Sequence, residues 1–295
     1  MGCSLKLAGV LAAVLLCGCG AKDPAAETSL PARGPAAAFD ADRAFGDLRA
    51  QVRIGPRPAG SSGSREEVRF IVERLAAAGL EATVQRPHRN VVARIPGRRA
   101  AALVVGAHHD TKDGIPGFVG ANDGASGVAA LLELARVLPR PFPGPSIVLA
   151  FFDAEEARGE RPFVEDGARG SAQFVRLASA GGAQGSPALE RIDAMYLLDL
   201  VGDCDLEIPR EASSSPELYE RLRGPAFGGE TGPVLDDHIP FLAAGIPAVD
   251  VIDFEYGPGP PPGAWFHTPE DRLDKVCPES LEQVGRAMIM ALTAH

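Results

Sequence analysis

Two histidines and three carboxylates, His108, Asp123, Glu156, Asp199 and His267, recur just past the ends of apolar, strand-like runs. Imidazole nitrogen and carboxylate oxygen suit a zinc-sized cation. Glu155, next to one of them, is placed to exchange protons with a bound substrate. One such residue would mean little, because single histidines and acids are ordinary surface groups. Five in one repeated context make a metal-dependent enzyme the leading reading.

Each position carries a blander alternative. In Gly106-Ala107-His108-His109-Asp110, His108 is the candidate ligand, and Asp110 is expected to hold its second ring nitrogen. Alone, the pair would read as surface histidines on a loop. Asp123 opens a helix, where a carboxylate can cap and ligate together. Glu155 and Glu156 follow Phe151-Phe152-Asp153-Ala154. Adjacent carboxylates at the end of a buried strand repel unless a cation or a proton separates them, whereas in a solvated loop they need neither. Asp199 is embedded in an apolar strand, and its burial demands a partner. Asp236-Asp237-His238 opens a short helix, and acids there suit the helix dipole. Trp265 and Phe266 precede His267 and are expected to wall a pocket beside it.

The elements that must position these groups follow from periodicity. Ser64 with Glu67 reads as a capping box, followed by a face of Val68, Ile71, Val72 and Leu75 that Gly79 ends. Strands are expected at Leu80 to Val84, Asn90 to Ile95, Ala101 to Gly106, Ile147 to Phe152, Met195 to Leu200 and Ala248 to Ile252. The last three are continuous apolar runs, as in strands buried on both faces. Helices are expected at 124–138, near 171–178, at 238–244 and after Pro278, where Leu281, Val284, Met288 and Leu292 share one side. Early hairpin-like strands followed by alternating strands and helices predict an α/β fold: a three-layer sandwich with a mixed, mostly parallel central sheet flanked by helices. Open sheets of this kind put their chemistry at the strand ends.

Composition narrows the function classes. The chain has 295 residues, a 45% hydrophobic fraction and a net charge of −10, which gives no general attraction to nucleic acid. Residues 1–19 read as a lipoprotein-type signal peptide, with Lys6 ahead of the apolar stretch Leu7 to Leu16. Leu16-Cys17-Gly18-Cys19 resembles a bacterial lipoprotein processing box that would leave Cys19 acylated. An ordinary secretory signal is the alternative, and either exports the protein to the periplasm or cell envelope. Membrane contact is expected only through that anchor. Residues 20–40, rich in Ala and Pro, read as a tether. Residues 41–295 form one catalytic domain, expected to be a monomer. Cys204 and Cys277 then remain; export permits a disulfide, but unpaired buried thiols are the default expectation. No G-x-S-x-G elbow, P-loop or HExxH helix is present. His88 and His295 are expected at the surface.

The combined motifs resemble the zinc-dependent glutaminyl cyclases, which share a fold with the di-zinc aminopeptidases. The likeness rests on Gly55-Pro56-Arg57 with Gly60-Ser61, His108 to Lys112, Phe118 to Asp123, Leu132 to Arg136, Phe151 to Glu156, Leu198 to Gly202 and Asp236 to Leu242. It implies one zinc held by Asp123, Glu156 and His267 in a cyclase. In an aminopeptidase it implies two, with His108 and Asp199 added and Asp123 bridging. Asp236, where aminopeptidases commonly have Ser, and Lys112 are cyclase-like. The resemblance implies peptide or protein N-termini as substrate, Glu155 as proton carrier, and Asp199 with Asp236 as the acidic network that holds the amine. It departs at Arg161 and Phe266, near places where the cyclases carry Trp, so Trp265 is displaced by one. The alternative is an aminopeptidase; a non-catalytic binding lipoprotein should have lost ligands or the proton carrier.

Overall fold

The computed structural model describes Met1, Gly2 and residues 38–295. The expected leader with Cys19, and the tether up to residue 37, lie outside the described residues. The order is α1 (Ala41–Ile54), α2 (Ser62–Ala77), β1 (Ala82–Val84), β2 (Val91–Ile95), β3 (Gly97–His108), α3 (Ala125–Val137), β4 (Phe142–Phe152), α4 (Phe163–Asp166) and α5 (Arg169–Ser179). There follow β5 (Ile192–Asp199), β6 (Ile208–Arg210), α6 (Pro216–Tyr219), β7 (Phe227–Glu230), α7 (Ile239–Ala243), β8 (Ala248–Ile252) and α8 (Pro278–Thr293).

Six strands form one sheet in the order β1-β2-β4-β3-β5-β8. The pairs β3–β4, β3–β5 and β5–β8 are parallel, whereas β1–β2 and β2–β4 are antiparallel. The predicted mixed sheet between helical layers is the observed one. Strands β4, β5 and the edge strand β8 are buried along nearly their whole length, which is why their sequences lack polar alternation. One face packs Leu103, Val105, Leu149, Tyr196 and Leu198 against α1, α3 and α8. The other packs Val104, Val148, Phe152 and Leu197 against Phe174 of α5 and Phe241 of α7. Among the described residues, no helix is long and apolar enough to cross a membrane.

Several local expectations are corrected. Helix α2 is capped by Ser61, whose side chain accepts from the Ser64 amide. Glu67 is instead buried against Arg57, and burial pushes its carboxyl up to about 7. The chain docks before α1: Phe39 packs so closely on α8 that a Cβ at Gly285 would meet its ring. Cys204 and Cys277 are not free thiols but a disulfide that spans 73 residues of sequence. The bond is reinforced by the flanking bridge Asp203–Val276 and by the Cys277 amide donating to the Gly202 carbonyl. His295 is half-buried, its ring 2.8 Å from the Tyr196 hydroxyl, and His88 is half-buried too.

Candidate metal centre and its cavity

Parallel β3 and β5 end side by side, and this brings His108 and Asp199 together. The Nε2 atom of His108 is 3.1 Å from Asp199 Oδ1. The turn after β3 and the start of α3 carry Asp123 onto the same ring, 3.2 Å from Nε2. Asp123 does not cap α3: Gly124 holds that position at φ 91° without a side-chain cap. Glycine is required there, since a Cβ would lie 2.6 Å from the Asp110 carbonyl and 3.2 Å from the His108 ring.

The freed carboxylate faces two ways. Its Oδ1 meets His108, and its Oδ2 lies 3.2 Å from Nε2 of His267. His267 also lies 3.1 Å from Glu156 Oε1. Two groups of three ligands result, His108/Asp123/Asp199 and Asp123/Glu156/His267, with the ligating atoms of each within 4.8 Å of one another. His267 takes a left-handed backbone, φ 51°, a conformation that ordinary side chains adopt only when their surroundings impose it. Phe266 stacks on its ring at 3.8 Å between centroids.

These residues fit a zinc-sized cation. Four ligands at about 2.0 Å around zinc lie roughly 3.3 Å apart at tetrahedral corners, close to the separations found here. Asp123 Oδ2 is buried without an aligned hydrogen-bond donor although an imidazole is 3.2 Å away. The electrostatics agree. Burial pushes Glu156 up to about 7, helped by the negative charge of Asp123, and it pushes Glu155 well up, helped by Glu156, Asp236 and Asp237. Burial opposes charge on His267, but Asp123 and Glu156 raise it to about 10. Such a cluster attracts positive charge, which either protons or a dication can supply.

Braces that the sequence did not disclose hold the ligands. Asp271 accepts from the amides of Asn122 and Asp123 and from the Tyr256 hydroxyl, which fixes the Asp123 turn. Asp110, expected to hold His108, is 3.7 Å from its Nδ1, too long for a full hydrogen bond. It accepts instead from the amides of Glu155 and Glu156, at 3.1 and 3.3 Å, and so shapes the turn that presents both. No signal separates Asp271 from the acids around it in the run Glu270-Asp271-Arg272-Leu273-Asp274.

A cavity of about 370 Å³ opens onto the centre, with Asp123, Glu155, Glu156, Asp199, Asp236 and His267 in its wall. Phe163, Val234, Ile252, Phe254 and Phe266 add apolar wall, and Lys112 and Arg161 add positive charge. Asp236 does not cap α7, whose N-cap is His238 without a side-chain bond. It turns into the cavity, and burial with nearby Asp250, Asp199 and Asp237 holds its carboxyl well above the ordinary range. Trp265, expected beside Phe266 in the substrate pocket, is not in this wall. It stands edge-on to Tyr256 at 5.5 Å, with Lys275 over its ring.

Fold and site together fit an enzyme of the open-sheet type with a metal centre, its candidate ligands on the ends of parallel strands and on the turns and loop beside them. The chain belongs to peptidase family M28, whose pattern matches residues 90–292. It is similar to a glutaminyl cyclase from an Acidobacteriales bacterium, with 31% identity, a TM-score of 0.76, and 93% of this chain and 98% of that one covered. It also resembles a glutaminyl-peptide cyclotransferase of Bothrops jararaca, 30% identical over 80% of this chain and 76% of that one. A glutaminyl-peptide cyclotransferase-like protein of Mus musculus is 29% identical, with 87% and 76% covered.

Proposed function

We propose that the protein is a zinc-dependent glutaminyl-peptide cyclotransferase, converting N-terminal glutamine of peptides to pyroglutamate with release of ammonia. The observation that carries this reading is Asp236. It is buried in the cavity wall, one of its oxygens has no hydrogen-bond donor, and it shares that wall with Asp199. This acidic wall suits a substrate α-amine. One zinc, held by Asp123, Glu156 and His267, would polarise the γ-carboxamide carbonyl when bound.

The chain's own groups do the rest. Asp199 and Asp236 accept hydrogen bonds from the amine and aim its nitrogen at the carboxamide carbon. Glu155, buried and with its carboxyl held above the ordinary range, takes a proton from the amine as the new C–N bond forms. It returns that proton to the carboxamide nitrogen, the old C–N bond breaks, and ammonia leaves. The apolar wall around Phe266 excludes water, which favours ring closure over hydrolysis. The reading is tested by incubating zinc-loaded protein with glutaminyl peptides. Pyroglutamyl peptide and one equivalent of ammonia, with about one zinc per chain, support it.

A second reading rests on the completeness of the triad His108/Asp123/Asp199. With two zincs loaded, the same site would be an aminopeptidase, with Glu155 activating water. Free N-terminal amino acids and about two zincs per chain would establish that instead. We further propose an exported monomer anchored through Cys19. The Cys204–Cys277 disulfide supports export to an oxidising compartment.

A further inference from the structure

The charged groups of the cavity wall are unevenly distributed. Asp123, Glu155, Glu156, Asp199 and Asp236 are buried at its floor. Lys112 is turned inward, its Nζ 3.7 Å from Glu156 Oε2 and donating to the Ala157 carbonyl. Arg161 is different: its side chain is 62% exposed although it lines the cavity, which places it at the mouth. Among the described residues its one ionic partner is Asp166, at 3.5 Å.

Asp166 is already held by closer cations. Arg158 grips both of its oxygens, and Arg169 lies 2.9 Å from Oδ2. Arg161 is therefore the outermost of three guanidiniums on one carboxylate, and its side chain makes no hydrogen bond there. The acids on the same stretch, Glu160 and Glu165, form no ion pair with it. Leu235, half-exposed, also lines the cavity. A guanidinium with unused, parallel N–H groups is shaped for a carboxylate.

Arg161 shares the cavity wall with the buried acids and is exposed to solvent, so a peptide whose N-terminal residue binds among those acids can extend past it. We propose that Arg161 is a specificity residue that binds a carboxylate on the second residue of the substrate, which is either an acidic side chain or a free C-terminus. This rests on the cyclase reading above. The preferred substrates are then glutaminyl peptides with Glu or Asp in second place, and glutaminyl dipeptides.

The test compares zinc-loaded wild type with Arg161→Gln and Arg161→Glu. The peptides are Gln-Glu-amide, Gln-Ala with a free C-terminus, Gln-Ala-amide and Gln-Lys-amide. Loss of the N-terminal residue is followed both as pyroglutamate and as free glutamine. The kcat/KM ratio of Gln-Glu-amide to Gln-Ala-amide is expected near fivefold in wild type, the size of a half-exposed charge-assisted pair. It should fall to about one in Arg161→Gln, and Arg161→Glu should prefer Gln-Lys-amide. The kcat/KM ratio of Gln-Ala to Gln-Ala-amide should likewise exceed one in wild type and fall to about one in Arg161→Gln; a ratio unchanged by the substitution overturns the free C-terminus as a carboxylate that Arg161 binds. Equal ratios in wild type and both variants overturn the proposal while leaving the cyclase reading intact. Free glutamine in place of pyroglutamate overturns the cyclase reading, and consumption of none of the peptides overturns both.

Discussion

The two ligand triads share Asp123 yet sit in different surroundings. In the deep triad, His108 and Asp199 stand on the ends of adjacent β-strands, and the His108 side chain is 2% exposed. In the shallow triad, His267 is on a loop, its side chain is 27% exposed, and its backbone is held at positive φ. Glu156 and His267 line the cavity, and so does Asp199 of the deep triad, whereas His108 does not. The strand ends therefore carry the more buried groups, and the loop carries the more exposed imidazole.

The largest expected effect removes the proton carrier that both triads adjoin. Glu155→Gln keeps shape and removes basicity, so kcat for ammonia release should fall about 10²- to 10⁴-fold. Zinc content should stay at the wild-type level; a fall in zinc would make Glu155 a metal-site residue instead. Next come the two histidines. His267→Ala should lower activity by more than about 100-fold along with zinc content, since it removes a ligand facing the substrate. His108→Ala should cost less than about tenfold if only the shallow triad is loaded. A loss in His108→Ala as large as that in His267→Ala would mean that both triads work together, and would favour the aminopeptidase reading.

The disulfide joins the segments behind the two triads, since Cys204 follows Asp199 and Cys277 follows His267. Closing a loop of 73 residues removes denatured-state entropy worth about 4 kcal/mol. Cys204→Ser with Cys277→Ser should lower the unfolding free energy by up to that amount in denaturant titration. Zinc should be lost from the shallow triad first. A smaller effect is expected from Asp271→Asn, which keeps a hydrogen-bonding side chain but weakens its grip on the Asn122 and Asp123 amides. Zinc affinity should drop about 10- to 100-fold, read by competition with a chelator.

The contrast between strand-borne and loop-borne groups also explains what the sequence discloses. The core strands were legible because burial on both faces leaves a largely apolar run, and Asp199 stood out as an acid inside such a run; Asp250 lies inside another. His108 and the Glu155–Glu156 pair were legible because they close such runs. Helix α1 was missed because its inner face includes Asp47 and Gln51 beside Ala44 and Leu48, so apolar periodicity is diluted. The short strands β6 and β7 carry no alternation to detect. The direction of Trp265 was missed because loop geometry, unlike strand geometry, fixes no alternation of side chains. Asp110 was read as a partner for the neighbouring ring, when its work is to hold two backbone amides. Side chains that fold onto backbone leave no spacing pattern.

Proton counting sharpens the comparison at the smallest scale. Before a cation binds, Asp123 and Glu156 raise His267 to about 10, against burial, and Asp199 with Asp110 and Asp123 raises His108 well above the ordinary range. A histidine raised on folding stabilises the fold fully below its unfolded value, about 6.5. That contribution fades as pH rises through about 10. A zinc ligand must be unprotonated, so binding works in the opposite direction: affinity rises with pH, and each imidazole that ligates releases its proton. At pH 8 Glu156, near 7, has mostly given up its proton already, which leaves the imidazoles as the main source. Titration calorimetry in two buffers of different ionisation enthalpy should find about one proton released for the first zinc, from His267. A second binding step with its own proton would place a cation at His108. If the first zinc releases no proton, His267 is not its ligand, and the division into a shallow working triad and a deep supporting one fails.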